Sequence, residues 1–304
     1  MRVLIVGCGY VGLPLGIELV GQGHEVFGLR RSSARESELV AGGLKPLAAD
    51  LTRPEDLAKL PPSFDWVVNT VSSSKGGADA YREVYLHGTR NLLEWLRTAP
   101  PKQFVYTSST SVYGQNDGSL VKETSPTEPA SVTSRLLVEA EKLLLEAART
   151  RQFPAVILRV AGIYGPGRGH LFLQYLRHEA KIAGHGERLI NMVHRDDLVG
   201  AIVAALKQGR PGEIYNVVDD EPVAQIQFFR WLAEALGNWM PPFAAETEEA
   251  ERKRGRTDKR VSNRKLKREL GYQFKYPTFR QGYAAEIQRL GHGGMLNVAS
   301  ELKD

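Results

Sequence analysis

The chain has 304 residues, and 40 Lys and Arg against 35 Asp and Glu leave a formal charge of +5. Hydrophobic residues at 42% and charged residues at 25% exclude a disordered chain and fit a folded globular enzyme. No apolar run approaches the roughly 20 residues needed to cross a bilayer, and the single cysteine, Cys8, can build neither an internal disulfide nor a zinc site. Met1 runs directly into Val3-Leu4-Ile5-Val6 with no basic leader, so the sequence predicts no secretory signal and a cytoplasmic location. The small net charge argues against nucleic acid as a partner.

The first half alternates short apolar runs with helical patterns, which is how a parallel sheet with crossover helices reads. Strands are predicted at 2–6, 25–29, 44–48, 66–71, 103–108 and 155–160, with helices at 11–20, 33–41, 80–97 and 134–149 between them. In the last of these helices Leu136, Ala140, Leu143, Leu144 and Ala147 recur at helical spacing and mark a buried stripe. After Gly165-Pro166-Gly167 the pattern loosens, with helices predicted at 197–206, 227–236 and 278–290. Ser262 or Asn263 caps a further short helix at 265–270 that ends at Gly271. Residues 252–268 hold ten basic residues and one acid, and read as a solvated surface segment or as a lid for a phosphorylated ligand. The tail beyond Gly291 reads as frayed. The fold class is α/β: a doubly wound parallel-sheet Rossmann domain over 1–164 and a smaller C-terminal substrate lobe over 165–304, of which 191–218 returns to the sheet.

Gly7-Cys8-Gly9-Tyr10-Val11-Gly12 follows the first strand and opens the first helix, the context in which a GxGxxG sequence binds a dinucleotide. Glycine permits the tight turn, the approach of a pyrophosphate and the packing of helix on strand, while the helix N-terminus offers backbone donors. Gly7, Gly9, Tyr10, Val11 and Gly12 are therefore candidate cofactor contacts, and Cys8 is a small filler. An acidic residue closing the second strand would hold the ribose of NAD. The chain instead reads Gly28-Leu29-Arg30-Arg31-Ser32-Ser33. Guanidinium groups suit a 2′-phosphate, so Arg30, Arg31 and Ser32 point to NADP rather than NAD.

With these motifs, and with Ala49-Asp50-Leu51, Gly88-Thr89-Arg90-Asn91-Leu92-Leu93, Tyr106-Thr107-Ser108-Ser109-Thr110-Ser111-Val112-Tyr113-Gly114, Leu158-Arg159-Val160-Ala161-Gly162-Ile163-Tyr164-Gly165-Pro166-Gly167, Val193-His194-Arg195-Asp196-Asp197-Leu198 and Ile214-Tyr215-Asn216-Val217, the chain resembles the extended short-chain dehydrogenases/reductases of the NAD-dependent epimerase/dehydratase group. The resemblance implies that Asp50 and Leu51 flank the adenine, that Thr70, Val71 and Ser72 run beside the cofactor, and that Ser109 is the catalytic Ser/Thr. It also brings departures. Aligning the family's YxxxK dyad on 131–135 puts Ser131 at the tyrosine and Arg135 at the lysine, where Arg135 could hold ribose but not relay a proton. Tyr85 replaces the family's Asn, and Ile190 replaces an Arg, with Arg188 displaced by two. Tyr85 and Tyr113 are left as candidate proton donors.

The resemblance implies an NAD(P)-dependent oxidoreductase or epimerase acting on a hydroxyl or carbonyl of a small, sugar-like or nucleotide-linked substrate, and a homodimer as assembly. The rival reading is an NADP-binding regulatory or scaffold protein without turnover; nucleic-acid binding through 252–268 is the third. No metal site is predicted. His194-Arg195-Asp196-Asp197 reads as a helix start whose acids cap it and suit its dipole, and His170, His178 and His185 lack ligand spacing.

Overall fold

The six predicted runs and a seventh, from the returning segment 191–218, form one sheet: β1 (Arg2–Val6), β2 (Glu25–Arg30), β3 (Lys45–Ala48), β4 (Trp66–Asn69), β5 (Gln103–Ser109), β6 (Ala155–Val160) and β7 (Ile214–Val217). In this computed structural model, which describes residues 1–73, 76–237, 239–245 and 257–292, their order is β7-β6-β5-β4-β1-β2-β3. Every neighbouring pair is parallel. Parallel strands must be covered on both faces, and β4 and β6 are buried at every residue. One face packs under α1 (Gly12–Gly21), through Leu15 and Leu19, and the other under α2 (Val132–Arg151), through Ala140, Leu144 and Ala147. Sequence order reverses between β1 and β4, so the crevice for a ligand opens there, above the carboxyl ends of the strands.

The second half does not separate cleanly at residue 165. Helix α3 (Arg195–Gln208) and β7 return to the first core, and so does the short helix Arg264–Leu270, whose Leu266 and Leu270 pack into it. A distinct aromatic core of Tyr164, Phe172, Tyr175, Phe228, Phe229, Phe279 and Tyr283 builds the remaining lobe. His194 Nδ1 accepts the Asp196 amide (3.1 Å) and caps α3, and buried Asp197 accepts from Tyr272 Oη and the amides of Lys275 and Tyr276. These groups pin the return of the chain. Among the described residues no cluster of His, Cys, Asp or Glu is placed to hold a metal, and no helix is long and apolar enough to cross a membrane.

Several elements differ from expectation. The helix predicted at 80–97 is helical but changes pitch, passing from Ala78–Tyr81 through a π-helical Arg82–His87 to Gly88–Trp95. The strand predicted to reach residue 71 ends at Asn69, whose Oδ1 accepts the Val71 amide (3.2 Å). Short strands outside the main sheet pair over long separations: the polar Asn116–Val121 with Asp258–Val261, and Gly162–Tyr164 with Met192–His194. Half of the basic segment is thus strand and helix; residues 252–256, like the predicted tail at 293–304, lie outside the described residues.

Behind the ends of β5 and β6 sits a buried ion pair. Arg159 Nη2 lies 2.7 Å from Glu141 Oε2, with side-chain exposures of 5% and 2%. Ser108 Oγ donates to Glu141 (2.6 Å), Arg159 Nη1 donates to Tyr113 Oη (2.9 Å), and Tyr113 Oη donates to Asn216 Oδ1 (2.7 Å). Removing one partner leaves an uncompensated charge in the interior, which costs about 3–5 kcal/mol. Glu141→Ala is expected to lose stability on that scale in urea unfolding, and Glu141→Leu with Arg159→Met to recover part of it. A loss below about 1 kcal/mol for the single variant would contradict the role given to the pair.

Candidate functional site

The glycine turn is fixed by geometry that only glycine meets at its first position. Gly7 has φ +87°, and a Cβ there would stand 2.7 Å from the Val71 backbone. A Cβ on Gly12 would stand 2.7 Å from Gly7 O and 3.1 Å from Ile5, so this glycine lets α1 close on β1. Gly9 differs: no described atom lies within 4 Å of where its Cβ would be, and the space it faces is the cleft. At α1 no side chain caps Val11 and no acid occupies the first turn, so the positive end of the helix is left for an anion. Thr70 Oγ1 donates to Gly7 O (2.9 Å) and holds the turn against the end of β4. Cys8 is buried, and burial pushes its thiol up to about 12, as suits a filler.

At the end of β2, Arg30 is committed. Its Nε donates to Cys8 O (2.7 Å) and its Nη1 to Arg35 O (2.8 Å) and Glu38 Oε2 (3.0 Å), bracing the turn against the next helix. Arg31 and Arg35 are exposed and line the cleft with it. Arg35, which contiguous reading after β2 does not reach, closes a short 3₁₀ turn, Ser33–Arg35, and its Nε donates to Glu38 Oε1 (2.5 Å). Ser32 does not face the cleft; it lines a separate shallow depression with Glu36 and Pro46. Asp50, Leu51, Val71 and Ser72 line the cleft, Asp50 Oδ1 accepting from Thr52 N and Oγ1.

The candidate catalytic residues divide. Ser109 lines the cleft and its Oγ accepts the Ser111 amide (3.1 Å). Ser131 also lines it, but as the N-cap of α2: its Oγ accepts the Ser134 amide (3.1 Å) and donates to Ser134 Oγ (2.8 Å). One turn on, Arg135 donates its amide to Ser131 O (3.1 Å); its side chain is exposed, donates to Ala130 O (2.7 Å) and does not line the cleft. The i,i+4 pair of α2 that does line it is Thr133 and Leu137. Tyr85 lines the cleft, its Oη accepting the Ser73 amide (3.3 Å), and burial raises its pKa. Tyr113 does not: it is wholly buried in the ion-pair network, and burial raises its pKa too.

The cleft, about 2150 Å³, continues into the C-terminal lobe. There Arg168, His170, Lys181, Arg188 and Lys259 line it, whereas its described carboxylates, Asp50 and Glu83, come from the first half of the chain. Arg168 is presented by a tight turn, its amide donating to Gly165 O (2.9 Å), with Gly167 at φ +68°. Its guanidinium lies 4.9 Å from the ring centroid of Tyr10, so the lobe leans on the glycine turn.

Residues 3–217 match the NAD dependent epimerase/dehydratase family. Protein YeeZ of Escherichia coli (strain K12) is 31% identical over 283 residues, covering 91% of this chain and 96% of that protein. A conserved protein of unknown function from Silicibacter pomeroyi has a similar structure, with TM-score 0.77, 27% identity and coverage of 95% and 98%. A dTDP-glucose 4,6-dehydratase from Streptomyces venezuelae, solved with NAD bound, shares the fold at TM-score 0.82 and 23% identity, with coverage of 96% and 97%.

The glycines provide a test. Gly9→Ala is expected to leave the thermal midpoint within about 1 °C while weakening NADPH at least about tenfold in fluorescence titration, since only the ligand's space is filled. Gly7→Ala is expected to lower the midpoint itself. Equal effects of both changes on stability would contradict this division.

Proposed function

Because the chain belongs to the NAD dependent epimerase/dehydratase family, we propose that it binds NADP(H) across the end of the sheet and transfers hydride to or from a hydroxyl or carbonyl of a small anionic substrate. The observation that carries the cofactor choice is the arginine group at the end of β2, where Arg31 and Arg35 stand exposed at the cleft. Guanidinium groups bind a 2′-phosphate through paired charge-assisted hydrogen bonds. The residues of the turn fit a dinucleotide: open space over Gly9, an uncapped α1 and a glycine-only backbone at Gly7. The bound nicotinamide would supply the hydride donor or acceptor.

The protein's own part is to hold and orient. The turn and the end of α1 would take the diphosphate, Asp50 and Leu51 would border the adenine, and Ser109 would hydrogen-bond the reacting oxygen. Thr133 and Leu137 would occupy the helical face where the family carries its Tyr-Lys dyad. A threonine hydroxyl with a leucine one turn below has no cation to lower its pKa, so it can position an oxygen but not deliver a proton at neutral pH. The proton then comes from Tyr85, from water or from the substrate. Nucleotide-linked sugars, named in the Streptomyces venezuelae dehydratase, are one substrate class that suits the cations of the second half. The missing ionisable pair on α2 also favours a second reading, an NADP-responsive binding protein without turnover. Oxidation of bound NADPH by a library of anionic carbonyl compounds separates the two: hydride transfer to any of them supports the enzyme, and none supports the binding protein.

For the cofactor, Arg31→Ala with Arg35→Ala is expected to weaken NADPH at least about tenfold and NADH less than about threefold in equilibrium titration. Arg30→Ala is expected to weaken both, because it braces the turn. Equal losses for NADPH and NADH in the double variant would contradict the 2′-phosphate assignment.

A further inference from the structure

One cation of the cleft is enclosed by protein. Lys259 is 4% exposed, whereas a lysine is ordinarily left in water. The register of Asp258–Val261 against Asn116–Val121 shifts between Asp258 and Lys259, and the strand then alternates, with Lys259 and Val261 buried and Arg260 exposed. Lys259 thus occupies an inward slot of the kind that Val261 fills with an apolar side chain. Its Nζ donates to Tyr113 O (3.0 Å) and Thr257 Oγ1 (2.8 Å), both neutral. The third ammonium proton finds no acceptor among the described residues, and the side chain lines the cleft.

Among the described residues, the charged groups on the surrounding elements do not neutralise it. Asp117 Oδ1 accepts the Ser119 amide, Asp258 Oδ1 accepts the Leu189 amide, and Glu123 Oε1 accepts the Asn216 amide. Arg260 donates to Gly118 O, and Lys181 and Arg188 add like charge to the cleft wall. A buried cation without a counter-ion is disfavoured, and it persists where a ligand completes it.

We infer that Lys259 anchors an anionic group of the substrate, a phosphate or a carboxylate, in the enclosed corner of the cleft lined by Gly114, Asn116, Thr257 and Lys259, and so selects against neutral substrates. The inference rests on the reading of the cleft as a substrate site, and it does not depend on which cofactor binds. Selection follows because a neutral group there would leave the ammonium buried and unpaired. Burial alone pushes Lys259 down to about 8, from 10.5 when exposed. Between these values the unfolded chain holds more protons than the folded one, so this residue makes stability rise with pH across that window. An anion beside the ammonium raises its pKa again, so binding must take up protons.

The test is calorimetric titration at about pH 8.5 with inorganic pyrophosphate and, separately, malonate, in two buffers of different ionisation enthalpy, with and without saturating NADPH. Wild type is expected to take up a fraction of a proton on binding at least one of the two anions. Lys259→Gln is expected to bind that anion at least about tenfold more weakly, with no uptake and unchanged NADPH affinity. Lys259→Arg is expected to keep the affinity and lose the uptake, because its guanidinium is always charged. Response to pyrophosphate alone identifies a phosphate, and to malonate alone a carboxylate. Unchanged anion affinity in Lys259→Gln, or no anion bound by wild type, overturns the inference. Failure of NADPH to bind wild type contradicts the cofactor reading instead, and the titration without NADPH still decides for Lys259.

Discussion

A carboxylate and a guanidinium shut away from water hold the working edge of this molecule together. Glu141 comes from α2 and Arg159 from β6, and through Ser108, Tyr113 and Asn216 their network reaches β5, the loop after it and β7. A buried pair of this kind is weak evidence for net stability, since hydrophobic residues of similar volume often serve as well. What it supplies is position. The helix that carries Thr133 and Leu137 and the strand end that carries Ser109 are fixed to one another by these buried donors and acceptors. Tyr113 belongs to this scaffold, and for that reason it is unavailable to the cleft.

The second constraint is the distribution of charge. At the glycine turn the positive end of α1 and the exposed Arg31 and Arg35 face a crevice set by the reversal between β1 and β4. In the C-terminal lobe the cleft is lined by Arg168, Lys181, Arg188 and Lys259. The cleft wall also carries a neutral set of hydroxyls, Ser109, Ser131, Thr133 and Ser134, with Leu137. On the proposed reading, a cleft so built would hold two anionic partners end to end, with their reacting ends among groups that orient but do not ionise. Arg168 on the ring of Tyr10 links the two regions physically.

The parts legible in the sequence are those set by local rules. Parallel strands buried on both faces read as apolar runs, and the glycine turn and the arginines after β2 follow from contiguous residues. The parts missed depend on distant segments. Asn116–Val121 and Asp258–Val261 are polar and became strands only by pairing with each other. Lys259 sat in a run of basic residues that looks like a solvated surface, and only its place opposite Asn116–Val121 shows that it is buried. Ser131 and Arg135 fit a four-residue spacing, but Ser131 also caps α2 and Arg135 does not line the cleft, whereas Thr133 and Leu137 line it at the same spacing. The buried stripe at Leu137, Ala140 and Leu144 extends back to Thr133 by the same spacing, which is the signal that could have found it.

A crystal structure with NADP⁺ bound tests the central claim most directly. The account predicts the diphosphate on the backbone amides of 9–12, the 2′-phosphate within hydrogen-bond reach of Arg31 or Arg35, and Thr133 and Leu137 facing the nicotinamide. A 2′-phosphate turned away from both arginines, or an ionisable side chain from α2 against the nicotinamide ribose, would contradict it.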